Sequence, residues 1–136
     1  MGKGRLQHGA LPWRRGAGGI EILMITTRTT RRWIIPKGWP MEGKAPHEAA
    51  AQEAWEEAGV RGEAAAVAVG AFDYDKLKKD GRAKRIRVEV FALEVREEAD
   101  DWPEAAQRER RWFPVAEAAE VAGEPELAPL LAAFTR

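Results

Sequence analysis

Glu53, Glu56 and Glu57 fall within five residues of one another in the run Gln52-Glu53-Ala54-Trp55-Glu56-Glu57-Ala58-Gly59-Val60. Written as a helix, the i,i+3 and i,i+4 spacings place all three carboxylates on one face. Like charges on one stripe repel, so the arrangement is costly unless a counter-charge sits among them. A hard divalent cation such as Mg²⁺ or Mn²⁺ suits that place, because it takes oxygen ligands and is commonly held by a few carboxylates together with substrate phosphates. Runs of acid on helices are also commonly solvated faces. The residues upstream separate the two readings.

Upstream lies Trp33-Ile34-Ile35-Pro36-Lys37-Gly38-Trp39-Pro40-Met41-Glu42-Gly43-Lys44-Ala45-Pro46-His47-Glu48: an apolar run, a Gly/Pro-rich loop and a helix start. With it the chain resembles the Nudix hydrolases, whose box reads G-x5-E-x7-R-E-U-x-E-E-x-G-U, with U aliphatic. Gly38 falls on the first glycine. Glu53, Glu56, Glu57, Gly59 and Val60 fall on their positions without a gap, and Ala54 stands as a small version of the first U. Two positions depart from the box: Lys44 stands where glutamate is usual and Gln52 where arginine is usual. In the family those two side chains brace the loop against the helix, so the resemblance implies that this brace is missing. Losing both partners together leaves neither charge orphaned, which would be the costlier state.

The resemblance implies an α/β (α+β) fold, a Nudix-like α/β/α sandwich with a mixed β-sheet between helices. It also implies metal-dependent hydrolysis of a nucleoside diphosphate linked to another moiety, or of a related diphosphate, by water attacking phosphorus. Mg²⁺ or Mn²⁺ is the implied cofactor, with Glu53 and Glu57 as ligands and the Gly38 carbonyl as a possible further one. Glu56 is the remaining box acid to take the water's proton or to complete the metal shell, and Glu53 shares the catalytic assignment. Glu89 and the acids near Asp101 are candidate bases from outside the box. The physics of the residues agrees, since a divalent ion neutralises phosphate charge, fixes geometry and acidifies bound water.

Thr26-Thr27-Arg28, the Trp33 to Gly38 run, Met41-Glu42 and Glu56 to Val60 together are similar to the diphosphoinositol polyphosphate phosphohydrolases, which also cleave diadenosine polyphosphates. The Pro36-Lys37-Gly38 step is similar to the diadenosine polyphosphate hydrolases as well. Both substrates are polyanions, for which arginine and lysine are natural partners. Arg28, Arg32, Lys37, Lys84, Arg85 and Arg87 are therefore the substrate-contact candidates, with Trp39 as a candidate pocket wall. An oxidised-nucleotide pyrophosphatase is the alternative enzyme, and a catalytically weak phosphometabolite-binding module the alternative without turnover. The first needs a snug base pocket, whereas a polyphosphate hydrolase needs a cationic rim, and the sequence shows the rim more clearly.

The remaining composition bounds these readings. A chain of 136 residues fits one domain over 1–136, and its 45% hydrophobic content is ordinary for a globular protein. No apolar run reaches membrane-spanning length. Met1 to Ala10 is basic without an apolar centre, unlike a secretory signal. The absence of cysteine excludes disulfide and thiolate chemistry, and two distant histidines argue against a zinc site. A cytoplasmic protein, monomer or homodimer, acting on a small phosphorylated molecule rather than on nucleic acid or membrane, is the expectation. The balanced net charge is unevenly spread: Lys76 to Arg87 carries seven cations against Asp80 alone, and Glu89 to Glu126 carries twelve acids against four bases.

Elements must then position these groups. Ile20 to Thr26 alternates as a strand entered through Gly16-Ala17-Gly18-Gly19, with Ala10 to Arg14 as its hairpin partner and Pro12 at an edge or bulge. Trp33 to Ile35 reads as a short strand. Pro46 at the start and Gly59 at the stop predict a helix over Pro46 to Ala58, with Ala50, Ala51, Ala54, Trp55 and Ala58 packing and the acids wet. Ala64 to Phe72 and Arg85 to Val95 read as a hairpin around Asp80-Gly81. Trp112 to Val115 reads as a last strand, and Glu117 to Ala122 with Leu127 to Phe134 as a helical end.

Overall fold

The glycine-rich turn lets the chain reverse tightly, and β1 (Leu6–Gly16) and β2 (Gly19–Thr26) form the expected hairpin, with Trp13 opposite Ile22 and Gly16 opposite Gly19. The computed structural model describes residues 4–136, so Met1 to Lys3 of the basic N-terminal stretch lie outside the described residues. β3 (Trp33–Ile34) pairs with the end of β2, and β4 (Lys37–Gly38) lies against His8 and Gly9 of β1. After α1 (Pro46–Ala58) come β5 (Val60–Ala64) and β6 (Gly70–Leu77), both antiparallel to the long β7 (Ala83–Glu98). β7 runs parallel to β1, which makes the sheet mixed. β8 (Arg110–Pro114) returns to pair with β2, followed by α2 (Val115–Val121) and α3 (Leu127–Ala132).

Alternation along the strands divides the core between the two faces. On one, Ala50, Ala54 and Ala58 of α1 lie against Ala10, Leu23, Ile25, Ile34, Phe91 and Leu93, and the small alanines let the helix approach the sheet closely. On the other, Ala118 of α2 and Leu127 and Leu131 of α3 cover Leu11, Ile22, Met24, Phe72, Val88 and Val90. The expected α/β/α sandwich is the architecture found. Among the described residues no helix is long and apolar enough to cross a membrane.

Three local expectations are corrected. Pro12 lies inside the sheet, opposite Leu93 of β7, not at an edge. It is tolerated because β4 pairs with β1 at His8 and Gly9 while β2 pairs from Trp13 onward, so position 12 falls between two ladders and owes neither a donor. Ala64 to Phe72 is not one strand: β5 and β6 sit end to end along one edge of β7, whose 16 residues are long enough for both. The two C-terminal stretches expected to be helical are found as α2 and α3. In α1 the buried residues are Ala49, Ala50, Ala54, Glu57 and Ala58, so the packed stripe takes in Glu57 and leaves out Trp55. Trp55 instead lies under the Arg61 guanidinium, 3.5 Å from its ring centre.

Candidate active site

The helix that carries the acids is defined at both ends. Pro46 occupies its first turn, where no N–H is required, and the Ala45 N–H donates to Glu48 Oε1 at 2.8 Å. Gly59 ends it in the left-handed region (φ 69°, ψ 29°), which a glycine adopts without strain. Between those ends, successive turns present Glu53 and Glu57 toward β4.

Glu53 rests against Gly38 so closely that a Cβ at position 38 would overlap its carboxylate. Glu57 is buried at 6% exposure, and its Oε1 accepts the Lys37 N–H at 3.4 Å. The Glu53 and Glu57 carboxyls are near enough to share a hydrogen bond. Burial pushes the Glu57 carboxyl up to about 8, opposed by the cationic Arg108 and reinforced by Glu53. The Glu53 carboxyl is likewise raised, first by burial. Two carboxyls crowded into one partly dry site are short of positive charge, and their all-oxygen donor set fits a hard divalent ion. Glu56 is held by the Gln52 amide, whose Nε2 donates to Glu56 Oε2 at 2.7 Å. The glutamine that replaces the usual arginine thus steadies an acid of the box. As the site stands, no three acidic or histidine side chains among the described residues are gathered into a ready metal cage.

A segment without any box residue closes the site. Arg108, itself buried, reaches Glu57 Oε1 at 3.8 Å and donates to Glu104 Oε1 at 2.7 Å and to the Thr26 carbonyl at 3.0 Å. Glu109 N–H donates to Thr26 Oγ1, and its carbonyl accepts the Thr26 N–H, both at 3.0 Å, which fastens the segment to the end of β2. Arg108 was not foreseen, and Glu104 was foreseen only as one of the acids near Asp101. The one available signal was the Arg108-Glu109-Arg110-Arg111 run inside an otherwise acidic stretch. Among the acids near Asp101 it is Glu104 that enters the site, while Asp101 Oδ1 accepts the N–H of the adjacent Trp102 at 3.0 Å. Glu89 is paired across the sheet with buried His8, which is itself paired with Gly38, and His8 Nε2 lies 3.6 Å from Glu89 Oε1. Burial lowers the His8 pKa against the pull of Glu89.

The cationic candidates divide into two groups. Arg28, Arg32 and Lys37 line one cavity of about 340 Å³ with Thr27, Thr29, Thr30, Tyr74, Lys76 and Glu124. Lys37 joins this cavity to the acids: its backbone N–H faces Glu57, while its ammonium lies 4.4 Å from the centre of the Tyr74 ring, with its pKa lowered by burial. Tyr74 is held in turn by its hydroxyl, which donates to Gln7 Oε1 at 2.8 Å. Arg28 donates to Gln107 Oε1 at 3.3 Å, and Arg32 pairs with Glu124 at 3.2 Å. Trp39, Lys84, Arg85 and Arg87 do not line the cavity. Lys84 lies over Trp39, 5.4 Å from its ring centre, while Arg85 pairs with Asp73, Asp75 and Glu126 and Arg87 with Asp73.

Comparison with known proteins accords with this geometry. A NUDIX domain model matches residues 7–134. The chain is 37% identical over 112 residues to Nudix hydrolase 12, mitochondrial, of Arabidopsis thaliana, a match covering 75% of this chain and 52% of that protein. It is 34% identical over 104 residues to diphosphoinositol polyphosphate phosphohydrolase 3-alpha of Mus musculus, covering 74% and 59%. The chain therefore spans little more than half the length of these curated relatives. Among solved structures, the C. elegans Ap4A hydrolase superposes with a TM-score of 0.63 at 23% identity, over 93% of this chain and 92% of that one. A NUDIX hydrolase from Nitrosomonas europaea superposes with a TM-score of 0.71 at 16% identity, over 96% and 87%. These identities speak to the fold. With its box in register, its sheet enclosed by helices as expected and a family match running almost from end to end, the chain belongs to the Nudix family.

Proposed function

We propose that this protein is a hydrolase that cleaves a phosphoanhydride bond in a polyphosphorylated small molecule, with Mg²⁺ or Mn²⁺ held by Glu53 and Glu57. The observation that carries the reading is the Glu53–Glu57 pair beside Gly38, with Glu57 buried and Glu53 half-buried, joined through Lys37 to a cavity lined by cations. A bound divalent ion would supply charge neutralisation and an acidified water at these carboxylates. The chain's own residues do the rest. Arg28, Arg32, Lys37 and Lys76 bind and orient the phosphate oxygens, and Tyr74 walls the cavity behind Lys37. Glu56, steadied by Gln52, offers its other oxygen as proton acceptor for the attacking water. The cavity's cations favour a compact polyanion, and the names of the mouse relative and the C. elegans structure supply two such classes, diphosphoinositol and diadenosine polyphosphates.

The test is phosphate and nucleotide release from both polyanions and from oxidised deoxynucleotides, with and without Mg²⁺, for the wild type and Glu57→Gln. The reading expects metal-dependent turnover favouring the polyanions and a loss of at least about a hundredfold in kcat for Glu57→Gln, because a metal ligand acts in the transition state. Turnover that persists in the variant would remove Glu57 from the metal site. A preference for the oxidised nucleotides would remove the substrate assignment.

A further inference from the structure

The last turn of α1 ends on carbonyls that no helical N–H can satisfy, and the usual remedy is a cap from the adjoining chain. Here only one is met locally, with Gly59 N–H donating to the Trp55 carbonyl at 3.0 Å. The next three carbonyls along the chain are met from a single distant stretch, residues 99–110. Glu104 N–H donates to the Glu56 carbonyl at 3.0 Å, the Trp102 indole N–H to the Glu57 carbonyl at 3.1 Å, and Arg110 Nη1 to the Ala58 carbonyl at 2.9 Å. Ala99 N–H adds a bond to the Gly59 carbonyl at 2.9 Å, and Arg110 Nη2 returns to the Ala99 carbonyl at 2.7 Å. The Arg110 guanidinium lies 4.0 Å from the centre of the Trp102 ring, so the two side chains form one unit. Gly59 leaves room for it: a Cβ there would stand 2.6 Å from the Trp102 ring.

We propose that Trp102 and Arg110 are positioning residues that hold Glu57, and through the helix Glu53, in the geometry needed to bind the metal, in place of the brace that Lys44 and Gln52 no longer provide. This rests on the reading of Glu53 and Glu57 as metal ligands. The physical grounds are three. The clamp bonds the carbonyl of Glu57 itself, so it fixes the backbone from which that ligand projects. The same stretch carries Arg108, itself bonded to Glu104, to the Glu57 carboxyl, so both ends of one residue are held from one segment. The last turn of α1 has no basic residue of its own, and Arg110 supplies the cation that the negative end of the helix dipole favours.

Trp102→Phe keeps an aromatic ring beside Arg110 but removes the indole N–H together with the second ring; Arg110→Lys keeps the charge and loses the fork and the stack. The readouts are Mn²⁺ affinity by the EPR signal of free ion, the Mg²⁺ concentration giving half-maximal activity, KM and kcat apart, and thermal unfolding of the metal-free protein. Expected for Trp102→Phe is a Mn²⁺ affinity weakened about tenfold, the lower end of what residues supporting a metal ligand contribute. The Mg²⁺ requirement should rise in parallel, with KM for substrate unchanged at saturating metal. Arg110→Lys should fall in the same direction. If the wild type binds Mn²⁺ and both variants bind it equally well, losing only thermal stability, the clamp is merely structural and the proposal is overturned. If the wild type itself binds no Mn²⁺, the metal reading fails first and takes the clamp's positioning role with it.

Discussion

At the scale of single residues, Glu57 concentrates the conflict on which this site is built. It sits on the packed stripe of α1 with Arg108, Lys37 and the Lys37 N–H to compensate its charge, and burial pushes its carboxyl up to about 8 from an ordinary 4.5. A raised folded-state pKa means that the folded protein holds a proton which the unfolded chain has already released between those two values. Stability from this group is therefore fully present below about pH 4.5 and is lost as pH rises through about 8. The Glu53 carboxyl, raised in the same direction, adds to the slope. Melting temperatures of chelator-treated protein should fall between about pH 6 and 8, with Glu57→Gln flattening the fall and Mn²⁺ raising the wild-type value most at the alkaline end. A wild-type profile that rises over that range would contradict the burial-driven shift.

At the scale of elements, two glycines separate function from stability. Gly38 is in β4, and the atom a methyl group would meet is the far end of the flexible Glu53 side chain. Gly38→Ala should therefore fold almost normally while displacing a ligand, lowering kcat by about tenfold or more, as small misplacements of catalytic groups do. Gly59 is the opposite case. Its positive φ alone would cost alanine about 1–2 kcal/mol, and the new Cβ would press on the Trp102 ring, a rigid neighbour. Gly59→Ala should lower the melting temperature clearly. Circular dichroism melts alongside kcat separate the two variants, and equal effects on both readouts in both would refute this division.

At the scale of the whole molecule, charge is sorted in space more than in sequence. The seven cations of Lys76 to Arg87 read as one basic patch along the chain, yet the fold sends them to different work. Lys76 faces the cavity with Arg28, Arg32 and Lys37, whereas Arg85 and Arg87 are paired with Asp73, Asp75 and Glu126, of which Asp75 itself lines that cavity. Arg28→Ala should raise KM for a polyanionic substrate roughly three- to tenfold, the order of a single partly exposed charge contact, and should reduce the dependence of KM on salt. Arg85→Ala should leave KM within about twofold, since its charge is already spent on three acids. Steady-state kinetics over a series of ionic strengths decides between them, and the reverse ranking would relocate the substrate.

What could be read from residues alone was whatever depends on spacing along one element. The Gly38-to-Val60 register, the extent of α1 with its proline and glycine limits, and the β1–β2 hairpin are all local consequences of periodicity and turn chemistry. Partners brought together by the sheet were not legible in the same way. Arg108 meets Glu57 across a sequence separation that carries no period. Trp102 and Arg110 reach α1 only because β8 returns beside β2, and β5 and β6 share one edge of β7 because that strand is long enough for both. Side-chain types and their repeat specify which groups a helix can present; whether an acid is wet or buried is decided by what packs over it. That is why the carboxylate stripe was visible in the sequence, while the burial of Glu57 and the clamp behind it belong to the tertiary structure.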